Sequence, residues 1–124
     1  SWVPARGGER LFLGTATRYG AGRGIRAGIP VIFPQFADQG PLARHGWVRT
    51  STWTFLGVET GDGAPRAVFA LDDDDTSRAQ WPHRYQVRLC VGLEADTLAV
   101  ALEVRNRGDA PFDFACALHS YLRV

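Results

Sequence analysis

Between Tyr85 and Leu93 every second residue is apolar: Tyr85, Val87, Leu89, Val91 and Leu93 alternate with Gln86, Arg88, Cys90 and Gly92. That is the two-residue period of a strand and not the 3.6-residue period of a helix. The alternation resumes from Leu98 to Val104, and the intervening Glu94-Ala95-Asp96 predicts a tight connection, so the two runs are expected to form a β-hairpin. Arg105 to Pro111 is rich in turn formers and leads into a last expected strand, Phe112 to Val124, giving three consecutive antiparallel strands in a meander. Along that last strand Phe112, Phe114, Cys116, Leu118 and Leu122 share one face, the expected core. Asp113, Ala115, Ala117, His119, Tyr121 and Arg123 share the other. Two alanines followed by a histidine, a tyrosine and an arginine suit a strand that floors a cleft with small side chains and carries polar groups at one end.

The first third reads differently. Gly7, Gly8, Gly20, Gly22, Gly24, Gly28, Pro30, Pro34, Gly40 and Pro41 leave no room for a long helix, and turns with short strands are expected. Arg10 to Leu13 is one candidate strand. Ile29 to Phe33, bounded by prolines, predicts a loop-like or edge course, and Trp47 to Val58 predicts a longer strand. The acidic run Asp72 to Asp75 reads as a solvated loop, since no further ligands converge on it to hold a metal.

A chain of 124 residues supports one domain with its own core, and 45% hydrophobic with 22% charged residues is ordinary for a soluble globular protein. A net charge of +1 advertises neither a nucleic-acid surface nor affinity for an anionic membrane. All 14 basic side chains are arginine, the residue suited to bidentate contacts with phosphate or carboxylate; compositional bias is the expected cause of the missing lysine, so each arginine is judged by its position. Cys90 and Cys116 lie in strand-like runs without CxxC spacing and read as buried free thiols in a reducing compartment. With no signal peptide and no apolar run long enough to span a bilayer, a cytoplasmic location is expected.

His45, His83 and His119 are far apart and form no HxxxH or HExxH arrangement, so no metal is expected. Histidine is nevertheless the side chain best able to pass a proton near neutral pH. His119 stands out by its place on the small-residue face, and His45 by its neighbours Arg44, Gly46 and Arg49. Arg26 sits in Gly24-Ile25-Arg26-Ala27-Gly28-Ile29-Pro30, where it could clamp an anion or bridge a turn. Neither a P-loop nor a GxSxG elbow is present.

Taken in order, Gly24 to Phe36 (GIRAGIPVIFPQF), His45-Gly46-Trp47-Val48-Arg49 with Trp53 beyond, Trp81-Pro82-His83 and Ala117-Leu118-His119-Ser120-Tyr121-Leu122-Arg123-Val124 resemble the D-hexose-6-phosphate mutarotase (glucose-6-phosphate 1-epimerase) family, within the aldose 1-epimerase superfamily. The four motifs are spread over most of the chain, from Gly24 to Val124, and Ser1-Trp2-Val3-Pro4 is similar to the end of a family strand. The resemblance implies an all-β antiparallel β-sandwich, the galactose mutarotase-like supersandwich, and a cofactor-free isomerase of a small-molecule hexose phosphate. It implies His119 as the general acid that protonates the ring oxygen, with His45 and Arg49 facing the sugar phosphate and Arg26 in the same anion-binding group. A base removes the proton of the anomeric hydroxyl, the ring opens to the aldehyde, the terminal bond turns, and closure gives the other anomer.

The sequence departs from the family pattern at Ala27, where a second glycine is usual, at Gln35, where tryptophan is common, and at Trp47-Val48, where Phe-Ala is common. These departures bear on substrate preference more than on fold. In the resemblance, the glutamate base and a sugar-holding aspartate lie downstream of Val124, so residues 1–124 are expected to form a single partial domain, an internal fragment inactive alone. Two other classes remain open: a non-catalytic carbohydrate or sugar-phosphate binding module, and a scaffold that associates through unpaired strand edges.

Overall fold

The alternating run after Tyr85 forms the predicted hairpin. In the computed structural model, which describes residues 1–14, 20, 23–61 and 63–124, β4 (Tyr85–Glu94) pairs antiparallel with β5 (Thr97–Asn106) across the two-residue connection Ala95-Asp96. Gly22, one of the expected punctuating glycines, lies outside the described residues. The register sets Leu89 against Leu102, Val91 against Val100 and Leu93 against Leu98, so apolar side chains meet across one face. With β2 (Thr54–Glu59) and β3 (Arg66–Asp72), these strands make a four-stranded antiparallel sheet in the order β2-β3-β4-β5. A second, two-stranded sheet pairs β1 (Val31–Ile32) with β6 (Ala117–Leu118), also antiparallel. The all-β antiparallel class expected from the sequence is therefore the observed one. The chain divides into two compact units, Ser1–Ser51 with Phe114–Val124, and Thr52–Asp113. Among the described residues no helix is long and apolar enough to cross a membrane.

In the unit Thr52–Asp113, Tyr85 and Val87 are fully buried, but burial then changes parity: Cys90 is buried while Leu93 is 61% exposed. The Cys90 thiol is free, and burial, followed by nearby Glu103, pushes its pKa up. The expected long strand from Trp47 is corrected, because residues Val48–Thr50 tighten into a 3₁₀ turn and β2 begins only at Thr54. The hydroxyls of Thr50 and Ser51 both donate to the Trp47 carbonyl, at 2.8 and 3.1 Å, the local alternative to a ladder that such side chains offer.

The acidic run is likewise not a plain solvated loop. Asp74 caps a short helix, α1 (Asp75–Gln80): its carboxylate accepts the Ser77 N–H at 2.7 Å while the Ser77 hydroxyl accepts the Asp74 N–H at 2.9 Å. Asp73, its side chain only 5% exposed, accepts the Tyr85 N–H at 2.9 Å and pairs with Arg78, tying α1 to the start of β4. Beyond the helix, Trp81, His83 and Phe112 pack edge to face and tilted, with centroids 4.5 to 5.2 Å apart, so His83 belongs to an aromatic cluster.

In the other unit the last segment is also corrected. The expected third strand of a meander does not pair with β5; it turns to residues 28–34. Hydrogen bonds extend the β1–β6 register on both sides, from Ala115 N to Pro34 O (2.8 Å), His119 N to Pro30 O (3.0 Å) and Tyr121 N to Gly28 O (2.8 Å). Pro30 and Pro34 have no N–H to return, which interrupts the ladder and leaves only two residues as regular strand. Arg10 to Leu13, expected as a strand, contributes isolated bridges, Leu11 to Leu122 and Leu13 to Ala27. The face expected to be core is largely open, with Phe114, Leu122 and Cys116 exposed, so the Cys116 thiol is not buried as expected. Ile32, Phe33 and Val48 form the buried centre instead, each contributing about 1.5–3 kcal/mol relative to exposure.

The backbone N–H of Ser77, first among its neighbours, holds the Asp74 carboxyl below the usual aspartate range. A lowered folded-state pKa contributes stability above the unfolded value of about 4 that is lost as pH falls. Asp74→Ala is therefore expected to lower the urea midpoint more at pH 7 than at pH 3; an equal loss at both pH values would refute the charged cap.

Candidate functional site

The pairing of residues 28–34 with 115–121 sets His119 opposite Pro30 and Tyr121 opposite Gly28. Two residues apart on an extended segment, the rings of His119 and Tyr121 project to the same side and stack, with centroids 4.9 Å apart and planes 28° from parallel. Of the face expected to floor a cleft, His119 and Tyr121 line a cavity, whereas Ala115, Ala117 and Arg123 are not among its described lining residues.

The second wall comes from the loop after Phe33. Phe33 bridges Gly46, and a Cβ on Gly46 would run into the Phe33 carbonyl; Gly46 also has φ +64°. His45 shares this left-handed conformation at φ +67°, rare for a residue with a side chain. The corner turns its ring toward His119, with centroids 6.1 Å apart and edge to face. His45 Nδ1 accepts the Ala37 N–H at 3.1 Å. Arg49 donates to the Arg44 carbonyl at 3.0 Å, and its guanidinium lies beside Gly24.

Together these segments enclose a cavity of about 490 Å³ within the first unit. Arg26, His45, Arg49 and His119, the four residues singled out from the sequence, all line it. Arg44 and Tyr121 line it too. Tyr121 was visible on the polar face of the last segment, and Arg44 as a neighbour of His45, but nothing in the spacing assigned either a site role. Ile25, Pro30 and Ile32 supply an apolar part of the wall.

The charge balance is one-sided. Three guanidiniums border the cavity, and among the described lining residues there is no carboxylate. Arg44 has a counter-ion in Asp38, which lies off the wall. His45 responds to this setting: burial first, then the positive charges of Arg49 and Arg44 and the neighbouring His119, push its pKa below the usual histidine value, with Asp38 opposing them. His119 presents a different picture. Its Nδ1 is buried without a hydrogen-bond partner, so no protein group at that nitrogen fixes which tautomer the ring adopts. The arrangement can hold an anionic oxygen ligand by charge-assisted hydrogen bonds and place an imidazole beside it.

Comparison with known proteins gives a consistent family. A family model described as Aldose 1-epimerase matches residues 9–124. The chain is 31% identical to a protein named "Putative glucose-6-phosphate 1-epimerase" from Cenchrus ciliaris, covering 100% of this chain and 40% of the relative. It is 30% identical to a protein of the same name from Salmonella typhimurium, again over the whole chain and 41% of the relative. Among solved structures, that of a "putative mutarotase (YeaD)" from Salmonella typhimurium superposes with a TM-score of 0.84 at 28% identity, covering 99% of this chain and 41% of that one. The chain thus spans about two fifths of the length of the relatives it matches.

The His45-Gly46 corner gives a direct test of how the cavity is built. Gly46→Ala adds both a left-handed Cβ and a collision with the Phe33 carbonyl, and is expected to cost about 2 kcal/mol or more in urea unfolding. Gly8→Ala, where an added Cβ meets nothing within 4 Å, is the control expected to change little.

Proposed function

Because the chain belongs to the aldose 1-epimerase family, as the match over residues 9–124 establishes, we propose that its protein is a mutarotase that interconverts the α and β anomers of a hexose 6-phosphate such as glucose 6-phosphate. The observation that carries this reading is a single cavity bordered by Arg26, Arg44 and Arg49 together with His45 and His119, with no carboxylate on its described wall. Guanidiniums can donate to the oxygens of a neutral sugar, but three of them around one cavity suit a phosphate dianion better, because its hydrogen bonds from them are charge-assisted.

Mutarotation needs proton transfer at two oxygens. In the proposed mechanism His119, through Nε2, gives a proton to the ring oxygen as the ring bond to the anomeric carbon breaks, while a base takes the proton of the anomeric hydroxyl. Rotation about the intact bond between the former anomeric carbon and its neighbouring carbon, followed by reversal of both transfers and re-formation of the ring bond, gives the other anomer. Arg26 and Arg49 hold the non-reacting phosphate, whose binding keeps the opened chain in place for closure, and His45 contacts the sugar phosphate. No carboxylate stands among the described lining residues to serve as that base, and residues 1–124, which span about two fifths of their relatives' length, are expected to exchange anomers poorly alone.

NMR exchange spectroscopy of glucose 6-phosphate with the intact protein tests the reading. Anomer exchange faster than in buffer is expected, His119→Gln should reduce it roughly 10²–10⁴-fold, and Arg26→Ala with Arg49→Ala should raise KM far more for glucose 6-phosphate than for glucose. Sugar-phosphate binding without accelerated exchange would instead identify a non-catalytic binding module.

A further inference from the structure

Gln35 is 95% buried by surface area, its exposure being 5%, and every polar atom of its carboxamide is engaged. Nε2 donates to the Ala37 carbonyl at 3.1 Å and to the Leu42 carbonyl at 3.0 Å, and Oε1 accepts the Leu42 N–H at 2.9 Å. One side chain thus closes the loop 37–42 upon itself. Gly40 lies so near that a Cβ there would strike Oε1. The loop's first residue, Ala37, sits at φ +48° and meets His45 twice: the His45 N–H donates to the Ala37 carbonyl at 3.1 Å, and the Ala37 N–H donates to His45 Nδ1 at 3.1 Å. The Ala37 carbonyl is therefore shared by Gln35 and His45.

A neutral imidazole carries its proton on one nitrogen, and a nitrogen that accepts a backbone N–H cannot be that one. Nδ1 of His45 is the acceptor, so the proton resides on Nε2. Protonating Nδ1 as well would set two donors against each other beside Arg44, Arg49 and His119, with only Asp38 to favour the added charge. We propose that Gln35 is a positioning residue for His45: by clamping the 37–42 loop it holds the Ala37 N–H on Nδ1 and presents Nε2–H to a ligand oxygen. His45 is then a fixed hydrogen-bond donor and takes no part in shuttling protons, which separates its role from that of His119. The ligand role of His45 rests on the function proposed above; its tautomer does not.

Long-range ¹H–¹⁵N correlation spectra of the intact protein read the tautomer directly. A single Nε2–H form is expected for neutral His45, and an Nδ1–H form or a rapidly averaging mixture would overturn the proposal. Gln35→Leu removes all three bonds; it should produce a tautomer mixture, raise the His45 titration midpoint and lower kcat/KM for anomer exchange roughly tenfold to a hundredfold. A purely structural glutamine would lower the unfolding midpoint and leave the His45 spectrum unmoved, which would also overturn the proposal. Should Gln35→Leu fail to fold, Gly40→Ala pushes the carboxamide aside without deleting it and must move His45 the same way. A wild-type protein with the Nε2–H tautomer but no anomer exchange would defeat the mutarotase reading alone.

Discussion

The site depends on one long-range pairing, that of residues 28–34 with residues 115–121. Val31 faces Leu118 and Ile32 faces Ala117 across a stretch that includes the whole four-stranded sheet in sequence. Three further hydrogen bonds continue the register beyond this short ladder. The bridge from Leu11 to Leu122 also ties the last segment down, but it is this pairing that sets His119 and Tyr121 directly beside Pro30 and Gly28, close to Arg26. Closing so long a loop costs entropy that grows only slowly with its length, and a few backbone bonds over a buried Ile32 and Phe33 offset it. The antiparallel sense matters as much as the contact, because it sets the side chain of His119 at the Pro30 end, next to the arginine turn that precedes it.

A second constraint is steric. The loop from Gln35 to Gly46 leaves and returns to the same point of the first unit, since Phe33 bridges Gly46. Such a return requires left-handed residues, and the chain uses three of them, Ala37, His45 and Gly46. Two of the three carry side chains, a conformation that costs of order 1–3 kcal/mol at such a residue. The Gln35 carboxamide, the reciprocal Ala37–His45 hydrogen bonds and the Asp38–Arg44 ion pair are what hold the loop in that form. Strain of this kind persists where the surroundings over-determine it, and here the over-determination falls on a residue that lines the cavity.

Period-two alternation made β4 and β5 legible, because both strands are long and their cross-strand pairs are apolar on one face. The same alternation in residues 112–124 correctly put His119 and Tyr121 on one side, but it cannot say which strand lies alongside, and the nearest in sequence was the wrong partner. The helix α1 went unread because six residues are too few for a helical period to register; its signal was the spacing of Asp74 and Ser77, a cap without a recognisable apolar stripe. Gln35 was legible only as a departure from the family pattern. Its three hydrogen bonds reach Ala37 and Leu42 through a loop geometry that no local propensity specifies. Arg26, His45, Arg49 and His119 were found because they stand in motifs, while Arg44, equally on the cavity wall, stands in none.

The two histidines of the cavity are 6.1 Å apart, yet their environments differ in the one respect that matters for proton chemistry. His45 has its Nδ1 committed to a backbone donor and positive charge on either side, so adding a proton there is opposed by both hydrogen bonding and electrostatics. His119 stacks on Tyr121 and has no backbone donor on Nδ1 to fix its tautomer. Under the proposed mechanism this asymmetry assigns the roles. The histidine whose second nitrogen is spoken for can only donate a hydrogen bond, and the one whose imidazole is uncommitted can gain and lose a proton as the ring opens and closes. An arginine-rich wall serves the binding side of that division, since under the same mechanism a phosphate held by the guanidiniums lies beside both rings. Under the proposed mechanism binding and acid catalysis are then coupled through position: the phosphate that the arginines hold is what would keep the reacting ring beside His119 while it opens and closes.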